Sequence, residues 1–392
     1  MRILIAHEAA VGGGGVESYL ASVIPALVAR GDAVAFLHHG SRGEQGPTRL
    51  QFDGVPHFSV QDDGFQHVLQ RIATWQPDVC FSHNMGALDV DEALLDRYPV
   101  VKMMHGFFGT CVSSHKAHAF PSVVPCTRAF GAPCLALYGP RRCGPLRPAK
   151  AASSLRWNLR QHALLTRYAS VVVASRYMQA EYTRHGVPPD RVIAALLFPT
   201  TSNEDGARPR PVKATVLFAG RMTDLKGPGV LVDAMAIAAK ASSRPLKLVM
   251  AGDGPQRAGL VGRARALGVD ASFPGWVSGA ELKRLFREAT VVAIPSLWPE
   301  PFGLVGLEAA LHGVPAVAFD SGGIGEWLHD GISGRLVRQR TASALGKALA
   351  SVLGDADILR TMEVGALEVA TRMTLPVHLQ QLDTAFASAR LR

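Results

Sequence analysis

The stretch VVAIPSLWPEPFGLVGLEAALHGVPAVAFDSGGIGEWLHDGISGRLV, from Val291 to Val337, leaves this chain few ways to fold. Val291–Ile294 is a short apolar run that reads as a buried strand, and Pro295-Ser296 breaks it. Glu300, Pro301, Phe302 and Gly303 form a loop. Apolar residues then recur at helical spacing from Leu304 to Leu311, Gly313 stops the helix, and Ala316–Phe319 is the next strand. Open α/β sheets build ligand sites this way, because ligands bind beyond the carboxyl ends of the strands. The free N–H groups of a helix start favour phosphate or an anionic transition state there.

The same alternation runs through most of the 392 residues. Ile3–Ala6 reads as a strand, Gly12–Gly15 as a loop, and Val16 to Arg30 as a helix. The pattern continues through Ala33–His38, a helix near Phe65–Trp75, Asp78–Ser82 and Val100–Met104. Residues 106–150 hold prolines, glycines and cysteines and read as an irregular insertion. A helix over Ser153–Arg167 and strands at Ser170–Ala174 and Ile193–Phe198 complete the first half. Pro199–Lys213 has three prolines and almost no apolar residue, which marks a linker. A second series then follows: Thr215–Ala219, helix Val230–Ala241, Leu246–Ala251, helix Gln256–Leu267, Ala271–Phe273 and helix Ala280–Glu288. Amphipathic helices at Thr341–Leu353, Asp355–Thr371 and Pro376–Arg390 come after the opening stretch. The expectation is an α/β chain with Rossmann-like domains over 1–199 and 200–374 and a terminal helix over 375–392.

Composition narrows the partners. Apolar residues make up 48% of the chain, enough for two cores, yet no apolar run approaches the length of a membrane span. MRILIAHEAAVGGGG reads as a first strand and its loop, not as a signal peptide, so the expected location is cytoplasmic. Net charge is +9, unevenly placed. Residues 97–180 contain no acidic residue and twelve lysines and arginines, Arg141, Arg142, Arg147, Lys150 and Arg156 among them. That segment is either a solvated basic face or a surface for an anionic membrane or a phosphate-bearing acceptor. The second reading, with peripheral attachment at the inner face of the plasma membrane, is the expectation. No nucleic-acid motif accompanies the charge, so no nucleic-acid partner is expected. Cys111, Cys126, Cys134 and Cys143 have 14, 7 and 8 residues between neighbours, without the close pairs of a zinc site. They read as free thiols, with a structural metal as the alternative.

Several strand ends carry candidate chemistry. In A219-G220-R221-M222-T223-D224-L225-K226-G227, Arg221 lies just past a strand and Lys226 at a helix start. Two fixed cations beside helix N–H groups suit a diphosphate, although two surface cations on a turn would share this spacing. Gly252 and Gly254 shape another turn after a strand. His105 ends the strand Val100–Met104. A lone histidine is more often structural, but its place at the carboxyl edge of the sheet favours function. Glu300 and Glu308 have seven residues between them, a spacing that an ordinary surface helix also meets.

The stretch P-E-P-F-G-L-V-G-L-E-A-A-L-H-G-V-P-A-V-A, with the turn Ser321-Gly322-Gly323-Ile324-Gly325-Glu326, closely resembles the Glu-x7-Glu signature of retaining glycosyltransferases with the GT-B fold (family 4 type, group 1). That family includes bacterial mannosyl- and glucosyltransferases. The resemblance covers nearly the whole chain and implies two Rossmann-like domains facing a cleft, with the terminal helix crossing back to the first. It implies that Arg221 and Lys226 hold a leaving diphosphate, that Glu300 faces the transferred sugar, and that Glu308 accepts hydrogen bonds from a ribose. By the same match, Gly14, Gly15, Gly220, Gly252 and Gly254 shape donor-side turns. Trp276 lies in the segment that reads the base, Phe302, Gly303 and Leu304 bring N–H groups to sugar and diphosphate, and His105 joins the catalytic set. The implied function is hexose transfer from a nucleotide-diphosphate sugar to a glycan, glycolipid or polyprenyl-linked acceptor in cell-surface polysaccharide or glycoconjugate biosynthesis. No Asp-x-Asp triplet stands at a strand end, so transfer without a metal or cofactor is expected. A phosphorylase, a sugar-nucleotide epimerase and a non-catalytic nucleotide-sugar-binding module are the rival readings. UDP, GDP and ADP donors are not distinguished.

Overall fold

The computed structural model describes residues 1–40, 48–201, 213–277 and 279–391, without the side chains of residues 12, 48 and 49. Most of the expected linker Pro199–Lys213 lies outside the described residues. Two parallel sheets form the frame. The first contains, in spatial order, Val192–Ala194, Ser170–Val173, Val100–Met104, Val79–Ser82, Arg2–His7, Ala33–His38 and His57–Ser59. The second runs Ala271–Gly275, Leu246–Ala251, Ala214–Ala219, Val291–Ile294, Ala316–Phe319 and Gly334–Val337. Numbered within each domain, both sheets share the doubly wound order 3-2-1-4-5-6, and the first adds a seventh strand. Each therefore reverses direction between its first and fourth strands, where a crevice opens at the carboxyl ends.

Parallel strands covered on both faces are mostly apolar on both, and these strands are, with Ser82, Lys102, Ser170 and Thr215 among the buried polar exceptions. In the second sheet Val216, Phe218, Leu248, Met250 and Val291 face one core, while Leu217, Val249, Val292 and Ile294 face the other. That alternation is the two-residue period of a strand. The second of these cores continues into the first domain through Leu4, Ala6, Met104 and Val173.

The terminal helix Leu375–Arg390 packs on the first domain. Leu382, Ala385, Phe386 and Ala389 are fully buried in a core with Ile3, Ile5, Phe81 and Val172. The ring of Phe386 stands edge-on to Phe81 at 5.2 Å. His378 Nδ1 meets the Leu196 carbonyl at 2.9 Å, so that nitrogen donates and Nε2 accepts from the Tyr19 hydroxyl at 2.7 Å. Arg30 pairs with Asp383 at 2.8 Å.

Two sequence expectations change. Within residues 106–150 the chain forms the helix Ala132–Arg141 and a short antiparallel pair, Ala117–His118 with Val124–Pro125. Its prolines look like breakers, but Pro133 occupies the first turn, where no N–H is required. The next helix begins at Pro148 for the same reason and ends at Leu164, earlier at both ends than Ser153–Arg167. Glu308 is the fifth residue of the helix Leu304–Leu311, a little over one turn in.

Phe386→Ala should cost about 3–5 kcal/mol by leaving a cavity in the first domain's core. Urea unfolding of the full chain reads this. A loss below about 1 kcal/mol would mean that the helix is peripheral to that core.

Candidate functional site

The site-bearing loops follow from strand order. Ala214–Ala219 and Val291–Ile294 are neighbours, with Val216 beside Val291 and Leu217 beside Val292, and they flank the reversal point. The loops leaving them, 220–227 and 295–303, therefore run side by side. The Leu297 N–H donates to the Leu225 carbonyl at 2.8 Å. A side chain at Gly227 would place its Cβ 2.1 Å from the Pro295 carbonyl, so only glycine allows the loops this close.

Their closeness joins Lys226 to Glu300. Lys226 Nζ lies 2.7 and 3.0 Å from the two Glu300 oxygens. The Ser296 hydroxyl also donates to Glu300, as does Trp298 Nε1 at 2.9 Å. Glu300 is buried, and a buried carboxylate needs such donors to stay charged. Trp298 reaches across to the first domain, with its ring 6.4 Å from Phe107 and 5.8 Å from His115. Lys226 Nζ sits 5.3 Å from the centre of the same ring. Arg221 is exposed on the adjoining loop. Burial, and then the charge of Arg221, holds His115 below the ordinary histidine value. Sequence reasoning missed Ser296, Trp298 and His115. Only the tryptophan two residues before Glu300 offered a signal.

Glu308 accepts a 2.7 Å hydrogen bond from Thr200 Oγ1, at the junction of the domains, and burial raises its carboxyl above the usual value. Gly220, Gly252 and Gly254 line adjacent strand ends. The Gly220 N–H donates to Ala251, and the Gly252 N–H to Gly275. A Cβ on Gly252 would lie 2.0 Å from the Gly220 carbonyl. Trp276 is largely exposed. Phe302 is buried, and its carbonyl accepts from Trp327 Nε1 at 2.8 Å. Gly303 caps the helix that starts at Leu304. Glu326 accepts from the Arg176 N–H at 2.6 Å and ties the glycine-rich turn to the first domain.

His105 lies in a different cluster. Its Nε2 is 2.9 Å from His83 Nδ1, the two rings stack at 5.3 Å, and Tyr19 stands edge-on. Burial pushes His105 down to about 3, so it is neutral in ordinary buffers. Its hydrogen-bond partner is His83, not Glu300, Arg221 or Lys226. Gly14 and Gly15 stand at the first helix, where the Gly14 N–H is already taken by Glu17 at 2.9 Å. This supplies the helix start with an anion of its own, and Gly15 borders open space. A cavity of about 540 Å³ opens beside this helix at the reversal point of the first sheet.

The basic segment is less basic than its sequence suggests. Lys102 pairs with Asp91, Lys116 with Glu181, Arg160 with Asp89 and Glu92, Arg167 with Asp96, and Arg176 with Glu326. Arg128, Arg142, Arg147, Lys150 and Arg156 are exposed, together with Phe120, Leu135, Leu146 and Leu159. All five cysteines are free thiols. Among the described residues, no group of three or more His, Cys, Asp or Glu side chains is placed to hold a metal ion, and no helix is long and apolar enough to cross a membrane.

Two family profiles cover most of the chain, "Glycosyltransferase Family 4" over residues 13–194 and "Glycosyl transferases group 1" over residues 201–366. The chain belongs to the family 4, group 1 glycosyltransferases. It is 36% identical over 166 residues to a D-inositol 3-phosphate glycosyltransferase of Nocardia farcinica, covering 40% of this chain and 36% of that protein. The chain thus spans about two fifths of the length of the curated relatives it matches. Its fold is similar to that of Anabaena HepE in complex with UDP and glucose (TM-score 0.68, 18% identity, 99% of this chain and 100% of that one). It is similar also to sucrose-phosphate synthase from Thermosynechococcus elongatus (TM-score 0.70, 20% identity, 98% of each chain). This family member has the GT-B architecture: two Rossmann-like domains and a helix returning to the first.

Glu17 yields a test of the helix start. His7 Nε2 lies 3.3 Å from its carboxylate, and that hydrogen bond is the main reason its pKa falls from 4.5 to about 2. The folded value lies below the unfolded one, so the stabilisation is present above the unfolded value and is lost as pH falls toward the folded value. The melting-temperature gap between wild type and Glu17→Gln should hold above about pH 4.5 and close toward about pH 2. A gap unchanged at about pH 3 would contradict the pairing.

Proposed function

We propose that this chain transfers a hexose, with retention, from a nucleotide-diphosphate sugar to a glycan, glycolipid or polyprenyl-linked acceptor in cell-surface polysaccharide or glycoconjugate biosynthesis. The observation that carries the reading is the Lys226–Glu300 pair at the reversal point of the second sheet. Exposed Arg221 stands beside it, and Glu308 lies on the next helix. The solved neighbour bound to UDP and glucose supports a nucleotide-sugar donor.

In this reading Arg221, Lys226 and the start of the helix at Leu304 face the donor diphosphate, where charge grows as the nucleotide departs. The acceptor oxygen bonds to the anomeric carbon on the face that the nucleotide leaves. The carbon–oxygen bond to the diphosphate breaks, its electron pair stays on the phosphate oxygen, and that oxygen takes the acceptor proton. Glu300 orients the sugar, held in place by Ser296, Trp298 and Lys226. Glu308 accepts from the ribose hydroxyls, and His105 acts as a neutral hydrogen-bonding group. Fixed cations do the work of a divalent metal, so the proposed transfer needs none.

Arg221→Ala and Lys226→Ala should each lower UDP-glucose turnover about 10²–10³-fold, while wild-type turnover survives EDTA. Near-normal turnover in the double variant would sink the diphosphate assignment, and loss in EDTA restored by manganese would sink the metal-independent one.

The exposed basic and apolar residues of the insertion support a peripheral place on an anionic membrane. Each lysine or arginine near such a surface contributes about 1 kcal/mol, screened within a Debye length. The protein should therefore bind phosphatidylglycerol vesicles at low salt and release them at high salt. Arg142→Glu with Arg147→Glu and Arg156→Glu should abolish that binding and leave UDP binding intact. Equal binding to neutral vesicles would refute the electrostatic account.

A further inference from the structure

The cavity in the first domain has a chemistry of its own. It lies where the loops after Arg2–His7 and Val79–Ser82 diverge, at the reversal point of that sheet. Three polar atoms on its lining residues are buried without a partner: His7 Nδ1, His83 Nε2 and Asn84 Oδ1. His7 and His83 are almost wholly buried. Buried polar atoms are nearly always paired, so three orphans on residues that line one cavity point to a hydroxyl-bearing ligand.

One wall is aromatic. Trp157 stands edge-on to Phe108 at 5.7 Å, and its Nε1 donates to the Gly86 carbonyl at 2.8 Å, which fixes the indole. An apolar wall with a few convergent polar groups suits a compact amphipathic ring.

The charge of the cavity selects further. Glu8 and Glu17 both line it. Glu8 is fastened by the Gly86 N–H at 2.6 Å and the Ala87 N–H at 3.3 Å. The cavity's lysine, Lys102, spends its ammonium protons on Ser82 at 2.9 Å, the His83 carbonyl at 2.5 Å and Asp91 at 2.6 Å. Two carboxylates with no uncommitted lysine or arginine among the lining residues give a negative field, which repels phosphate and carboxylate.

We infer that this cavity is the acceptor pocket and that it takes an uncharged sugar or cyclitol ring, stacked on Trp157 and bonded through hydroxyls to His7, His83 and Asn84, while Glu8 and Glu17 exclude rings that carry an anionic group. The inference rests on the transferase reading proposed above. Any phosphate on the acceptor then lies outside the pocket, and a carrier phosphate has the exposed arginines of the insertion to meet.

The test is saturation-transfer NMR on the full chain with UDP present. The probes are methyl α-D-glucopyranoside, methyl α-D-mannopyranoside and myo-inositol, each against its monophosphate. At least one neutral ring should bind, with its monophosphate about tenfold weaker or worse. Trp157→Ala should abolish binding of the neutral ring. Glu8→Gln with Glu17→Gln removes both charges, leaves one carbonyl oxygen at each position for the Gly86 and Gly14 N–H groups, and should shrink the discrimination against phosphate. Monophosphates that bind wild type as tightly as the neutral rings would overturn the inference. So would failure of every neutral ring to bind, or discrimination unchanged in the double variant. A thermal-shift measurement with UDP-glucose on the same sample separates the two readings. Stabilisation by UDP-glucose alongside those failures refutes the pocket assignment alone, whereas no stabilisation counts against the transferase reading itself.

Discussion

The pairing of Lys226 with Glu300 is the interaction on which the second domain's crevice depends. A carboxylate as buried as Glu300 would lose its charge or its place without donors. Supplying them requires loops 220–227 and 295–303 to touch, which requires their strands to be neighbours, which is the reversal of a doubly wound sheet. Gly227 completes the condition, because the Pro295 carbonyl occupies the space of its missing side chain. Trp298 carries the arrangement across the cleft, bonded to Glu300 and packed on Phe107 and His115. The geometry of these loops is thus tied to the position of the facing domain.

The two domains reuse one topology with opposite electrostatics. At the second reversal point Lys226 neutralises Glu300 and Arg221 stands exposed beside the pair. At the first, Glu17 fills the helix start and Glu8 fills the neighbouring loop, so the equivalent place is acidic. Strand order sets where a ligand goes, and the residues at the strand ends decide its charge.

Much of this was readable in the linear chain. Short apolar runs alternating with helical periods gave both Rossmann-like units, and the loops that follow Ala219 and Ile294 were legible as strand-end loops. What stayed hidden is what the chain makes only in space. The arginines and lysines of residues 97–180 look unpaired in sequence because their acids, Asp89, Asp91, Glu92, Asp96, Glu181 and Glu326, come from outside the segment. His105 marked a strand end correctly, but its burial against His83, which keeps it neutral, has no sequence signature. The helix Ala132–Arg141 was concealed by prolines that fall at its ends.

The returning helix Leu375–Arg390 has a consequence for the order in which the protein takes shape. Ile3, Phe81 and Val172 close their core only around Phe386 and Ala389, and Tyr19 finds its hydrogen-bond partner in His378. On the ribosome, the core of residues 1–198 therefore waits for residues 375–390, which are made after it. The second sheet draws on residues 214–337 alone, so the middle of the message yields a finished sheet while the beginning still lacks part of its interior. Synthesis runs from one end to the other, but completion runs from the middle outward.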